Sequence, residues 1–212
     1  MSLLVDSGLI AQRSLRRLVR TPQLVFFSTV QPVMFTLLFV YVFGGAIRLS
    51  GLSYVDYLLP GILVQTTLMG AINTAMGLTY DLKEGMVDRF RSLPMSRAAV
   101  LAGRTAADGV RNVFVIALIL GVGSAVGFRF HGSAWGALAA FGVALLFGYA
   151  FSWVFAVVAL VVKNTETAQV AGMIVVFPFV FASSAFVPTS TMPGWLQVFT
   201  RHQPVSIAVS AV

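Results

Sequence analysis

The chain has 212 residues, of which 58% are hydrophobic and only 10% charged. A soluble domain carries about 25% charged residues, so this composition leaves too little polar surface to face water and points to a single membrane domain. The net charge of +7 is no nucleic-acid footprint, because the basic residues sit in short clusters between apolar runs; the absence of cysteine excludes disulfides, thiol nucleophiles and cysteine-ligated metals.

Residues 7–20 precede the first apolar run and are amphipathic. Arg13, Arg16, Arg17 and Arg20 follow i, i+3, i+4, i+7 spacing on one helical face, with Ala11, Leu15 and Leu18 opposite. The segment reads either as an interfacial helix on the inner leaflet, its arginines toward lipid phosphates or a protein partner, or as a plain positive-inside anchor. Its charges follow the first apolar residues, which is not the order of a cleavable signal. Thr21 is placed to cap the next helix, with Pro22 at its first position.

A helix needs about 20 residues to cross the hydrocarbon core, and five segments qualify: 23–45, 57–80, 98–128, 135–162 and 168–187. The expected fold is therefore an all-α integral membrane bundle. With the N-terminus inside, every Lys and Arg except Arg48, Arg129 and Arg201 falls on the cytoplasmic side, which sets the orientation. In span one, Gln31-Pro32 frees a backbone carbonyl and can kink the helix. Span two places Thr66, Gly70, Asn73 and Gly77 on one face. That stripe suits either a polar path or interhelical hydrogen bonds within the subunit.

The loop at 81–97 reads DLKEGMVDRFRSLPMSR, long and charged for a mere turn. Met86, Phe90 and Leu93 fall at i, i+4, i+7 on a short helix flanked by Asp88, Arg89 and Arg91; Pro94 ends it and Ser96 can cap span three. Such a helix serves as a docking knob for a cytoplasmic partner or lies against headgroups. Span three carries Arg104, Asp108 and Arg111, an intrahelical ladder in which Asp108 meets Arg at i−4 and i+3. Only Val113–Val126 is purely apolar, with a short small-residue stripe at Ala117, Gly121 and Ala125. Span four repeats small residues every fourth position at Gly132, Gly136, Ala140, Ala144, Gly148, Ser152 and Ala156. This stripe is expected to pack helices within the subunit, ahead of a subunit–subunit seam or a conduit lining. Beyond span five, residues 188–204 are divided by Pro188, Pro193 and Pro204, with Trp195 and Phe199 as an i, i+4 aromatic pair. They fit a re-entrant or interfacial helix. A new apolar run occupies 205–212.

No catalytic, cofactor-binding or metal-binding residue emerges. His131 and His202 fall in outer loops without nearby carboxylates, and the acids Asp56, Asp81, Glu84, Asp88, Asp108 and Glu166 lie near membrane boundaries, not paired at mid-bilayer. An ion-driven carrier needs an intramembrane carboxylate or a broken-helix ion site. The sequence also has no G-x-x-x-x-G-K-[ST] phosphate loop.

Two stretches, GMVDRFRSLPMSRAAVLAGRTAAD (85–108) and VPTSTMPGWLQVFTRHQPV (187–205), resemble the signature regions of type-2 ABC exporter permeases, closest to the daunorubicin-resistance permease group of actinobacteria. The resemblance covers essentially the whole chain. It implies a multi-pass subunit of the bacterial plasma membrane with a cytoplasmic N-terminus. Two permeases, as a homodimer or pseudo-dimer, would pair with two cytoplasmic ATPase subunits that bind ATP and Mg. The N-terminal helix and the loop helix would contact the ATPase, with Met86, Arg89, Phe90 and Leu93 on the coupling helix. The segment around Trp195 and Phe199 would cap the path, and Gln31, Thr66 and Asn73 would be candidates for its lining. A path without buried net charge suits amphiphilic drug- or lipid-like cargo; a glycolipid or polysaccharide exporter is the alternative, and a secondary carrier or a membrane scaffold fits less well. The family has six spans, so the 212 residues are expected to be a fragment or truncated form lacking the last.

Overall fold

The computed structural model describes all residues except 1–2, 21, 45–52, 87–96, 131–132 and 163. The chain folds into α1 (Leu3–Arg20), α2 (Pro22–Phe43), α3 (Tyr54–Lys83), α4 (Arg97–Val126), α5 (Ala134–Val161), α6 (Thr165–Phe181), a 3-10 turn (Thr189–Thr191), α7 (Gly194–His202) and α8 (Pro204–Ala211). No strand occurs among the described residues. α3, residues 99–126 of α4 and α5 are long and apolar enough to cross a membrane, while 29–43 of α2 and all of α6 form shorter apolar helices. The result is an integral membrane helical bundle.

Local chemistry sets the helix limits. Ser53, Ser133 and Asn164 accept backbone N–H groups from Asp56, Gly136 and Glu166 and so cap α3, α5 and α6. At the other ends, Gly85 and Gly127 take positive φ, of 66° and 108°, and stop α3 and α4 where a side chain would be strained.

α3 is the central helix. It packs against α5, α6, α4, α2 and α8, and Leu58, Leu59, Ile62, Val64, Leu68 and Ala71 are buried along it. The surrounding helices turn large apolar side chains outward: Leu146, Val157 and Val161 of α5 and Ile174 of α6 are exposed, as lipid contact requires. α1 lies beside the bundle. It packs on α4, where Ile10 joins Ala99 and Val100 and the α1 backbone crosses close over Gly103.

Three expectations change. α3 runs to Lys83, so Asp81 belongs to a helix, not to a loop. α6 ends at Phe181 instead of running to 187. The apolar letters continue, but Ser183 Oγ donates to the Val180 carbonyl and accepts from the Ala185 N–H at 3.1 Å, drawing the backbone out of the helix. The small-residue stripe of α5 is buried only from Ala140 onward, through Ala144, Gly148, Ser152 and Ala156. Gly136 is exposed because it sits in the capped first turn, where an added Cβ would meet only Ser133 and Phe130 at ordinary distances; Gly132 lies outside the described residues.

Candidate functional site

Along the C-terminal half of α3 and the N-terminal half of α4 runs a column of alternating charge. Arg13 of α1 pairs with Asp81 of α3 at 3.3 Å, Asp81 with Arg104 of α4 at 3.5 Å, Arg104 with Asp108 at 3.7 Å, and Asp108 with Arg111 at 3.5 Å. The Arg104 Nε contact to Asp108 is an ion pair, too long for a hydrogen bond. Thr74 Oγ1 of α3 donates to Asp108 Oδ2 at 2.6 Å, and Arg111 Nη2 donates to the Gly70 carbonyl at 2.9 Å. Asp81, Asp108 and Arg111 are buried. A buried charge is tolerated only when paired and hydrogen-bonded, and each of these three meets that condition. From Asp81 to Gly70 is eleven residues of helix, so the column reaches about 16 Å along α3.

Glycine makes the column possible. At Gly77 a Cβ would occupy the position of the Arg104 guanidinium, and at Gly70 it would come within 2.6 Å of Asn112 Oδ1 and 3.0 Å of Arg111 Nη2. Both arginines therefore pack close to bare backbone.

A second polar cluster stands at the opposite end, around the non-helical residues 182–187. Thr200 Oγ1 and Gln203 Nε2 donate to the Ala182 carbonyl at 2.9 and 2.8 Å. Tyr57 Oη donates to the Ser184 carbonyl at 2.7 Å, Tyr54 Oη reaches the Phe186 carbonyl at 3.4 Å, and the Ser184 N–H donates to Ser206 Oγ at 3.2 Å. Phe186 stacks on Phe39 of α2 with ring centroids 4.6 Å apart. Residues from α2, α3, α7 and α8 thus clasp one short segment whose carbonyls would otherwise be orphaned.

The candidate residues read from the sequence fall in separate places. Arg16 and Arg20 are exposed on α1, Arg17 lies on the same helix, and Arg13 is drawn from the arginine face toward Asp81. Arg13 thus takes part in a helix–helix bond, a role that its place on the arginine face did not reveal. Gln31 and Asn73 are exposed and Thr66 half-buried, whereas Gly70 and Gly77 of the same stripe face the α4 arginines. Met86 is half-buried just beyond α3; Arg89, Phe90 and Leu93 lie outside the described residues. Trp195 on α7 is 75% exposed, and Phe199, partly exposed, tilts against Phe179 at 6.1 Å.

The ladder within α4 was readable from the sequence, but its extension through Asp81 to Arg13, and the Thr74 bond, were not. The only available signal was glycine at positions 70 and 77, one heptad apart and facing two arginines also seven apart at 104 and 111. Both clusters hold charge and backbone in place.

Comparison with known proteins gives the family of the chain. The family model of ABC-2 type transporters matches residues 7–212. The chain is 38% identical over 180 residues to the daunorubicin resistance ABC transporter permease protein DrrB1 of Streptomyces coeruleorubidus, covering 85% of this chain and 64% of that protein. It is 29% identical over 201 residues to the probable doxorubicin resistance ABC transporter permease protein DrrC of Mycobacterium tuberculosis, covering 94% and 72%. With the putative transport permease ycf38 of Cyanophora paradoxa it shares 25% over 215 residues, covering 96% and 71%. The chain thus spans just under two thirds of the length of the first of these relatives. With the match running from α1 through α8 over a membrane helical bundle, the chain belongs to the ABC-2 type transporter family.

Proposed function

We propose that this chain is the membrane-spanning permease subunit of an ATP-driven exporter that moves amphiphilic, drug- or lipid-like cargo out of the cytoplasm or inner leaflet. The observation that carries the reading is the family match over 7–212, together with drug-resistance permeases among the relatives. Energy comes from a separate ATPase, a reading supported by the ABC transporter permease names of the relatives. Two permeases and two ATPases form the working unit in the bacterial plasma membrane, with the N-terminus cytoplasmic. α1 and the loop following Lys83 dock on the ATPase, and Gln31, Thr66 and Asn73 face the path. Charge in the bundle is paired within the column, which supports a path for amphiphiles over one for small ions.

The test is uptake of daunorubicin into inside-out vesicles holding this chain and its cognate ATPase. ATP should drive accumulation, and Phe90→Asp should abolish both co-purification of the ATPase and accumulation while membrane insertion persists. Co-purification that survives Phe90→Asp removes the docking assignment; vesicles that hydrolyse ATP without accumulating daunorubicin remove the cargo assignment.

A further inference from the structure

We propose that Asp81 is the junction where movements of α1 and of the loop after α3 are combined and passed into the bundle, which makes Arg13, Asp81 and Arg104 positioning residues for transport. The proposal rests on the permease reading and adds to it a route from the inner face. Asp81 lies two residues before the end of α3 and four before Gly85, whose positive φ turns the chain into the loop. Its two oxygens are used separately: Oδ1 takes Arg13 of α1 at 3.3 Å and Oδ2 takes Arg104 of α4 at 3.5 Å. One carboxylate therefore joins three helices at the root of the loop.

The packing shows what the joint adds. α1 lies along α4, with Ile10 against Ala99 and Val100 and the α1 backbone crossing close over Gly103. That contact sets α1 against α4 and leaves its place relative to α3 to be fixed by other bonds. A charge-assisted bond between Arg13 and Asp81 fixes where α1 stands along α3. Beyond Asp81 the column continues through Arg104 and Asp108 to Thr74, and through Arg111 to the Gly70 carbonyl. A push on α1 or on the loop then displaces α3 and α4 together, to a depth of about 16 Å.

The test compares wild type with Arg13→Gln, Asp81→Asn, Asp81→Glu and the Arg13→Gln/Asp81→Asn double variant, each reconstituted with the cognate ATPase. The readout is daunorubicin accumulated per ATP hydrolysed, on protein matched for folded amount by melting. The joint predicts a fall of about fivefold or more for each of the two neutral single variants, the size of a typical coupling between sites. It also predicts partial rescue in Asp81→Glu and a double variant no worse than Asp81→Asn. An unchanged ratio in Arg13→Gln, or additive losses in the double variant, overturns it.

A second measurement needs no cargo and so separates failure of the joint from failure of the cargo assignment. The chain has no cysteine, and Gln12, Lys83 and Leu146 are exposed sites for spin labels on α1, α3 and α5. Adding a non-hydrolysable ATP analogue should leave the 12–83 distance fixed and shift the 12–146 distance. In Arg13→Gln the 12–83 distance should begin to vary. A wild-type 12–83 distance that moves with nucleotide, or a 12–146 distance that does not, rules the joint out.

Discussion

One methyl group at Gly77 would take the space that the Arg104 guanidinium fills, and Arg104 is what connects Asp81 to Asp108. Gly77→Val should therefore displace the guanidinium and leave a buried carboxylate short of its partner. Overpacking alone costs about 1–3 kcal/mol, and a broken buried pair adds to it. A lower melting temperature with loss of folded protein in detergent is expected, whereas Ala106→Val, at an exposed site on α4, should be neutral. Wild-type melting of Gly77→Val would show that the arginine has another place to lie. The sequence reading put Gly70 and Gly77 on one helical face and left open whether that face lines a path or bonds to a neighbouring helix; both glycines meet arginines of α4. Spacing along a helix reveals which residues share a side, never which neighbouring helix lies there. For the same reason the Asp108 pairs to Arg104 and Arg111 were legible, being local to α4, while Asp81's pairs across helices were not.

α5 shows how far a repeat can be trusted. Its every-fourth small residues do form the buried face, with Gly148 against Thr67 of α3, where a Cβ would come within 2.6 Å of the Thr67 Cβ. Lipid gives helices no apolar reason to associate, so close backbone approach supplies the contact. Gly148→Leu should then part α5 from α3 and lower stability by about 1–3 kcal/mol, read as a lower melting temperature; Gly142→Leu, with nothing within 4 Å of an added Cβ, is the control. Equal melting of the two variants would mean the stripe is not a seam. At Gly136 the repeat is exposed, because periodicity carries no information about where a helix emerges from its neighbours. The end of α6 failed differently: hydropathy continues past Phe181, while serine hydroxyls competing for the backbone end the helix.

The molecule as a whole places its most variegated helix in the middle and its most uniform ones outside. α3, carrying Thr67, Thr74, Thr79 and Asp81 among its buried residues, is shielded by protein, whereas α5 is apolar nearly throughout and faces outward. Membrane class was legible because lipid demands long apolar runs; the central position of α3 was not, because hydropathy does not distinguish lipid from protein as surroundings. The N-inside orientation can be checked directly in the cysteine-free chain. An impermeant maleimide should label Ser190→Cys, exposed in the turn before α7, in intact cells, and Gln12→Cys only after lysis. The reverse pattern would invert the topology. At the Ser190 end, the clasp around Ala182–Val187 has a further consequence. Its carbonyls are answered by hydroxyl donors from α3 and α7 and by the amide of Gln203 between α7 and α8, so any opening there must break those bonds or exchange them for new partners. Where water is scarce, abandoning them is costly. The segment is thus held in a single backbone arrangement by bonds that reach it from several parts of the chain, and moving it costs hydrogen bonds before it costs packing.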